Sequence, residues 1–145
     1  MDVAQNYGIT DTPRSSPVID PETKLVYTLG NDGDLICFEL VTGEVKWKLE
    51  LESEFGPSPF FFGYGSCPLI YEEKLILHVG ADEACVVALN KSDGAIVWKT
   101  DHAWNGSYAS PLISQVNGQN CLFVFAGGMV TVSYTHLRAH ETPCH

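Results

Sequence analysis

Three side chains that could hold a ligand stand at matching positions in this sequence. Arg14, Tyr64 and Tyr108 each come just ahead of a strand-starting pair, respectively Ser16-Pro17, Cys67-Pro68 and Ser110-Pro111. Together they offer one guanidinium and two phenols to a small molecule or a protein partner. Strand-end packing and loop hydrogen bonds are the alternative for all three. Trp104, ahead of Asn105-Gly106, is either a stacking platform or an apolar wedge. No residue is given a catalytic part, and no metal ligands are assigned. The carboxylates of Asn31-Asp32-Gly33-Asp34 lack the closing glutamate of a calcium loop and read as a turn. Glu72-Glu73 reads as a solvated turn, and His78 as a half-buried strand histidine without a partner at ligand spacing.

The elements that must position these residues are visible in a repeat. Cys37 to Trp47 and Ala88 to Trp98 follow one pattern, with Gly43 and Gly94, and Trp47 and Trp98, each separated by 51 residues. Each copy is an apolar strand, a turn closed by glycine, and a second strand ending on tryptophan, which makes a β-hairpin. Gly43 and Gly94 supply the positive φ of the turn. Short strands and turns alternate on both sides of each hairpin, so the repeating unit has four antiparallel strands and the class is all-β. Units of this length repeated in tandem form a β-propeller. The blades are expected over about residues 14–50, 64–100 and 107–130, with residues 50–65 as linker. That is about two and two-thirds blades, a fragment whose ends leave blade faces uncovered. Such a piece, taken alone, is expected to be poorly soluble or molten.

The two hairpins resemble the tryptophan-docking repeat of the pyrroloquinoline quinone (PQQ) dehydrogenase-like propellers, commonly Ala-x-Asp-x-x-Thr-Gly-Lys-x-x-Trp. Thr42, Gly43 and Trp47 match in the first copy, and Ala88, Gly94 and Trp98 in the second. Cys37, Glu39 and Glu44 depart from the pattern in the first, and Asn90, Asp93 and Ala95 in the second. The resemblance implies that Gly43, Trp47, Gly94 and Trp98 are structural docking residues, each indole locking its blade to the next while donating to a backbone carbonyl. It also implies a bacterial protein, periplasmic or exported in its full form. Within the family the favoured function is a non-catalytic binding scaffold, with Arg14, Tyr64 and Tyr108 near the propeller axis. One alternative is a PQQ-dependent alcohol dehydrogenase whose catalytic blades lie elsewhere, which would bring PQQ and calcium. The chain itself is expected to hold no cofactor, because it lacks the adjacent cysteine pair of those enzymes and no residue matches their calcium ligands or base. A second alternative is a subunit like BamB, the outer-membrane assembly factor, receiving a partner's loop on one propeller face.

Composition narrows the partners. With 18 acidic and 8 basic residues the formal net charge is -10, which disfavours nucleic acid and anionic membrane surfaces. No apolar run is long enough to span a bilayer, and the N-terminal residues do not read as a signal peptide. The five cysteines are scattered without a C-x-x-C pair and read mostly as small core residues. Residues 131–145 break the repeat, and Val132 to Thr142 resemble the in-frame translation of a transposon-end sequencing adaptor. They are expected to be a non-native tail, its histidines no metal site.

Overall fold

The computed structural model describes residues 13–100 and 106–127, and the backbone of residues 129–134 and 142–144. Trp104 lies outside the described residues. The first sheet contains β1 (Val18–Asp20), β2 (Leu25–Leu29), β3 (Asp34–Glu39) and β4 (Val45–Glu50) in sequential antiparallel order. A five-residue helix, α1 (Leu51–Phe55), leads to the second sheet: β5 (Leu69–Tyr71), β6 (Lys74–Ala81), β7 (Ala84–Asn90) and β8 (Ile96–Lys99). The third comprises β9 (Leu112–Val116), β10 (Gln119–Ala126), β11 (Met129–Tyr134) and β12 (Thr142–Cys144). The chain is a fragment of an all-β propeller, as its spacing predicts.

Local chemistry sets the hairpins. Gly43 and Gly94 have φ of 71° and 76°, and each amide donates back to the start of its turn, to Glu39 O and Asn90 O, both at 2.9 Å. The residues that depart from the common repeat still serve the turn. The Glu39 carboxylate accepts from the Thr42 amide, and the Asn90 carboxamide accepts from the Ser92 amide. The β3–β4 ladder shifts register between Cys37 and Phe38, and the β7–β8 ladder between Ala88 and Leu89. The irregularity therefore recurs at the 51-residue offset, and each tryptophan pairs with the residue just before it.

Two cores hold the sheets face to face. Tyr27, Leu35 and Cys37 of the first sheet meet Leu75, Leu77, Val87 and Leu89 of the second. On the other side Ile76, Val86 and Ala88 meet Leu122, Val124 and Ala126 of the third. The middle sheet is consequently apolar on both faces, and its strands β6 and β7 read as continuous buried runs rather than as alternating ones.

Three features differ from the sequence reading. The linker contains α1, anchored by buried Leu51, whose amide donates to Gly33 O at 3.0 Å. His78 is fully buried, not half-buried, because its strand lies in the doubly covered sheet. The third unit also continues past residue 130: β11 pairs with β10 as far as Tyr134, and Thr142–Cys144 adds a fourth strand. An extended segment that reaches the free edge of β10 can satisfy its backbone there, whatever the origin of its sequence.

Candidate functional site

The three sheets meet at the starts of β1, β5 and β9. There the equivalent residues Ser16, Cys67 and Ser110 form a relay across the blades. The Ser16 amide donates to Cys67 Sγ at 3.3 Å, and the Cys67 amide donates to Ser110 Oγ at 2.8 Å. Cys67 is a free thiol; burial raises its pKa, but the Ser16 amide and the Ser110, Ser16 and Ser15 hydroxyls outweigh that and lower it.

Beside the relay the structure brings together two of the three candidate residues. Gly65 separates Arg14 from Tyr108 so closely that a Cβ on it would meet Tyr108 Cδ1 at 3.1 Å and Arg14 Cβ at 3.6 Å. The Arg14 guanidinium lies 4.9 Å from the centre of the Phe62 ring, and Tyr108 Oη accepts from the Phe62 amide at 2.9 Å. Phe61 packs edge-on against Phe62 and is 76% exposed, while Tyr108 is 43% exposed. One cation and three aromatic rings thus share a partly open surface.

Tyr64 is not part of that surface. Its ring is 1% exposed and packs on Phe60 and the Gly33 turn, and its hydroxyl has no hydrogen-bond partner among the described residues. Burial first, and the Glu52 carboxylate second, push the phenol up to about 12, opposed weakly by the Ser58 hydroxyl, which does not reach bonding geometry. Tyr64→Phe is therefore expected to leave stability unchanged or raise it by about 1 kcal/mol, because it deletes an unsatisfied buried group while keeping the packing. Urea unfolding checks this, and a loss of stability would show that the hydroxyl has a partner.

Phe60 anchors the patch from below, contacting Tyr64, His78 and Tyr108. His78 Nδ1 lies 3.0 Å from Ala109 O, and Nε2 faces the Ser107 amide at 3.5 Å, an arrangement that suits a neutral ring protonated on Nδ1. Burial lowers its pKa accordingly. The histidine braces the loop that carries Tyr108.

A second polar centre joins the first two sheets. The Lys91 ammonium is 2.9 Å from the Asp20 carboxylate, with both side chains 4% exposed, and 3.9 Å from Glu73. The Lys91 carbonyl accepts from Tyr27 Oη at 2.9 Å and from Trp47 Nε1 at 3.1 Å. A shallow cleft of about 220 Å³ lined by Pro21, Glu22, Ile70 and Glu72 borders the ion pair. Its cation is already matched by Asp20, so the centre ties blades together and presents no free cation. The sequence gives no role to Lys91 or to the linker's aromatic run Phe60-Phe61-Phe62, since neither the turn that buries a lysine nor the fold of that run has a local signature.

Residues 10–135 match the PQQ-like repeat family described as outer membrane protein assembly factor BamB. The chain belongs to this family. Among solved structures, this BamB-family chain is similar to BamB from Moraxella catarrhalis, at 20% identity and a TM-score of 0.60, covering 91% of this chain and 35% of that one. It is also similar to quinohemoprotein alcohol dehydrogenase from Comamonas testosteroni, at 16% identity and a TM-score of 0.63, covering 90% and 21%. Quinohemoprotein alcohol dehydrogenase ADHIIG from Pseudomonas putida HK5 gives 17% identity and a TM-score of 0.64, covering 90% and 20%. The chain thus spans about a third of that BamB and about a fifth of the dehydrogenases, and at these identities the likeness is one of fold. No curated protein sequence matches it significantly. No two cysteines are adjacent in the sequence, and among the described residues no group of three or more His, Cys, Asp or Glu side chains is placed to hold a metal ion. No helix among them is long and apolar enough to cross a membrane.

Proposed function

We propose that this BamB-family chain is part of a non-catalytic scaffold that receives a loop of a protein partner at the end where β1, β5 and β9 begin. The observation that carries the reading is the partly open cluster of Arg14, Phe61, Phe62 and Tyr108. Aromatic rings and arginine are the residue types that dominate protein interfaces, since each offers large contact area with a directed polar or cationic end. The family description, an assembly factor of the outer membrane, supports a protein partner and an exported setting over a small-molecule substrate. Arg14 adds a preference for a carboxylate on the incoming loop, which the surrounding acidity of the chain would otherwise repel.

An array of immobilised loop peptides, each with Asp or Glu beside Leu or Phe, tests this. The intact chain is retained, and Arg14→Ala or Phe61→Ala weakens retention roughly tenfold, the usual cost of removing an interface anchor. Retention that ignores both substitutions, or alcohol-dependent dye reduction after loading with PQQ and calcium, defeats the proposal.

A further inference from the structure

The buried imidazole of His78 reaches from β6 to the turn ahead of β9, a junction whose two sides both lie within the described residues. It grips that turn at two points. Nδ1–H donates to Ala109 O at 3.0 Å, and Nε2 accepts from the Ser107 amide at 3.5 Å, so the residue between them, Tyr108, has its backbone held on both sides by one ring. The turn has a second tie. Ser107 Oγ donates to Phe125 O of β10 and accepts from the Ala109 amide at 3.2 Å.

Only the neutral ring can make both bonds. A second proton sits on Nε2 and points at the Ser107 N–H, which sets donor against donor at a side chain 1% exposed, where water cannot relieve them. Tyr108 carries the effect outwards. Its hydroxyl holds the Phe62 amide at 2.9 Å, its ring rests on Phe60, which itself meets His78 edge-on, and it flanks Gly65 opposite Arg14. β10 presents only Leu122, Val124 and Ala126 to the second sheet. The other elements around the ring carry the phenols of Tyr64 and Tyr108, the thiols of Cys67 and Cys85, and the exposed carboxylates of Asp82 and Glu83 in the β6–β7 turn. None of these acts on its pKa, which burial lowers against the opposing pull of the Ala109 carbonyl. Asp101 and His102 lie outside the described residues.

We propose that the aromatic patch is gated by pH: a proton taken up by His78 unlatches the Ser107–Ala109 turn, draws Tyr108 away from the Phe62 amide and opens the cluster around Arg14. Capture of a partner near neutral pH and its release in acid follow, and that consequence rests on the loop-binding reading. The gate itself does not. A histidine whose pKa is lower in the latched state than its free value of 6.5 supports latching in full above that value, and less with each step below it. One proton changes the latching equilibrium by about tenfold per pH unit. Arg14 and a carboxylate on the incoming loop keep their charges between about pH 7.5 and 5.5, so the change belongs to histidine.

Amide hydrogen exchange of the 145-residue chain at about pH 7.5 and 5.5, each rate divided by its intrinsic value, provides the test. The Ser107 amide reports the bond to the ring, and the Phe62 amide the bond to Tyr108. Both lose protection together, about tenfold over this interval, whereas His78→Gln, neutral throughout, holds both constant. His102, His136, His140 and His145 remain in that variant, so an equal loss there overturns the gate. Protection that ignores pH in the unaltered chain, or a loss at Ser107 that leaves Phe62 protected, overturns it equally. Circular dichroism verifies the fold, and His78→Asn replaces a variant that does not fold. Where neither folds, the converse chain, with the other four histidines changed to Gln, keeps the whole loss, and its disappearance there is fatal to the proposal. Loop peptides retained at neither pH defeat the loop-binding reading alone, since exchange is measured without them.

Discussion

Lys91→Met lowers the unfolding free energy by about 3 kcal/mol at neutral pH, as expected for removing one partner of a buried ion pair. The substitution leaves the Asp20 carboxylate inside with only the Thr23 hydroxyl and the Glu22 amide to hold it, at 2.7 and 3.1 Å. The Lys91 carbonyl is retained, so the bonds from Tyr27 and Trp47 survive and the loss isolates the ammonium. Adding Asp20→Asn to Lys91→Met recovers much of it, because no buried charge is then left alone. Urea unfolding of the four proteins at one protein concentration measures the cycle, and a single-variant loss well under 1 kcal/mol would show that water reaches Asp20.

Acid exposes the same interaction. The hydrogen bond from Lys91, followed in importance by those from Thr23 and Glu22 against the opposing cost of burial, lowers the Asp20 carboxyl from 3.8 to about 2. A depressed carboxylate contributes stability that is present above its unfolded value and lost as pH falls through its folded one, so the pair weakens between about pH 4 and 2. Lys91 is shifted upwards by the hydrogen bond to Asp20, so its side of the pair fails only at alkaline pH. The Lys91→Met variant loses the lysine's share of the acid sensitivity.

Trp47→Ala is expected to cost about 3 kcal/mol, the lower end of the range for truncating a buried aromatic, because the indole is half-buried against the core. Its indole fills the space between Tyr27 and the Gly94 turn of the next sheet, where a Cβ on Gly94 would come within 2.8 Å of the ring. Gly94→Ala is therefore harmful twice, by that collision and by the φ of 76° that a side chain resists. Trp47→Phe separates packing from polarity. It keeps most of the apolar body and loses the bond to the Lys91 carbonyl, at about 1 kcal/mol. In the Gly94→Ala background Trp47→Ala costs less than it does alone, since the collision has gone. Additive losses in thermal or urea unfolding would refute the contact.

Much of the fold was legible because the hairpin repeat is local. Gly43, Gly94 and the spacing to Trp47 and Trp98 are set by turn geometry and strand alternation, which leave periodic marks in a sequence. The patch was legible only in part. Arg14 and Tyr108 stand at matching strand starts and come to one surface on either side of Gly65, whereas Tyr64, at the same kind of position, turns into the core. The difference lies in Gly33 and α1, which make a pocket for its ring that neighbouring sequence does not announce. Lys91 illustrates the same limit. A lysine in a turn is ordinarily solvated, and only the approach of Asp20 from another sheet makes its burial tolerable.

The double covering of β6 and β7 also sets the order in which the molecule comes apart. An outer sheet can detach by exposing one interface, but the middle sheet cannot leave without exposing two. In a piece limited to these three sheets, nearest-neighbour coupling makes the outer sheets open before the middle one. The central sheet is the cooperative nucleus of the array, and the residues at its two faces govern how far fraying from either side can travel.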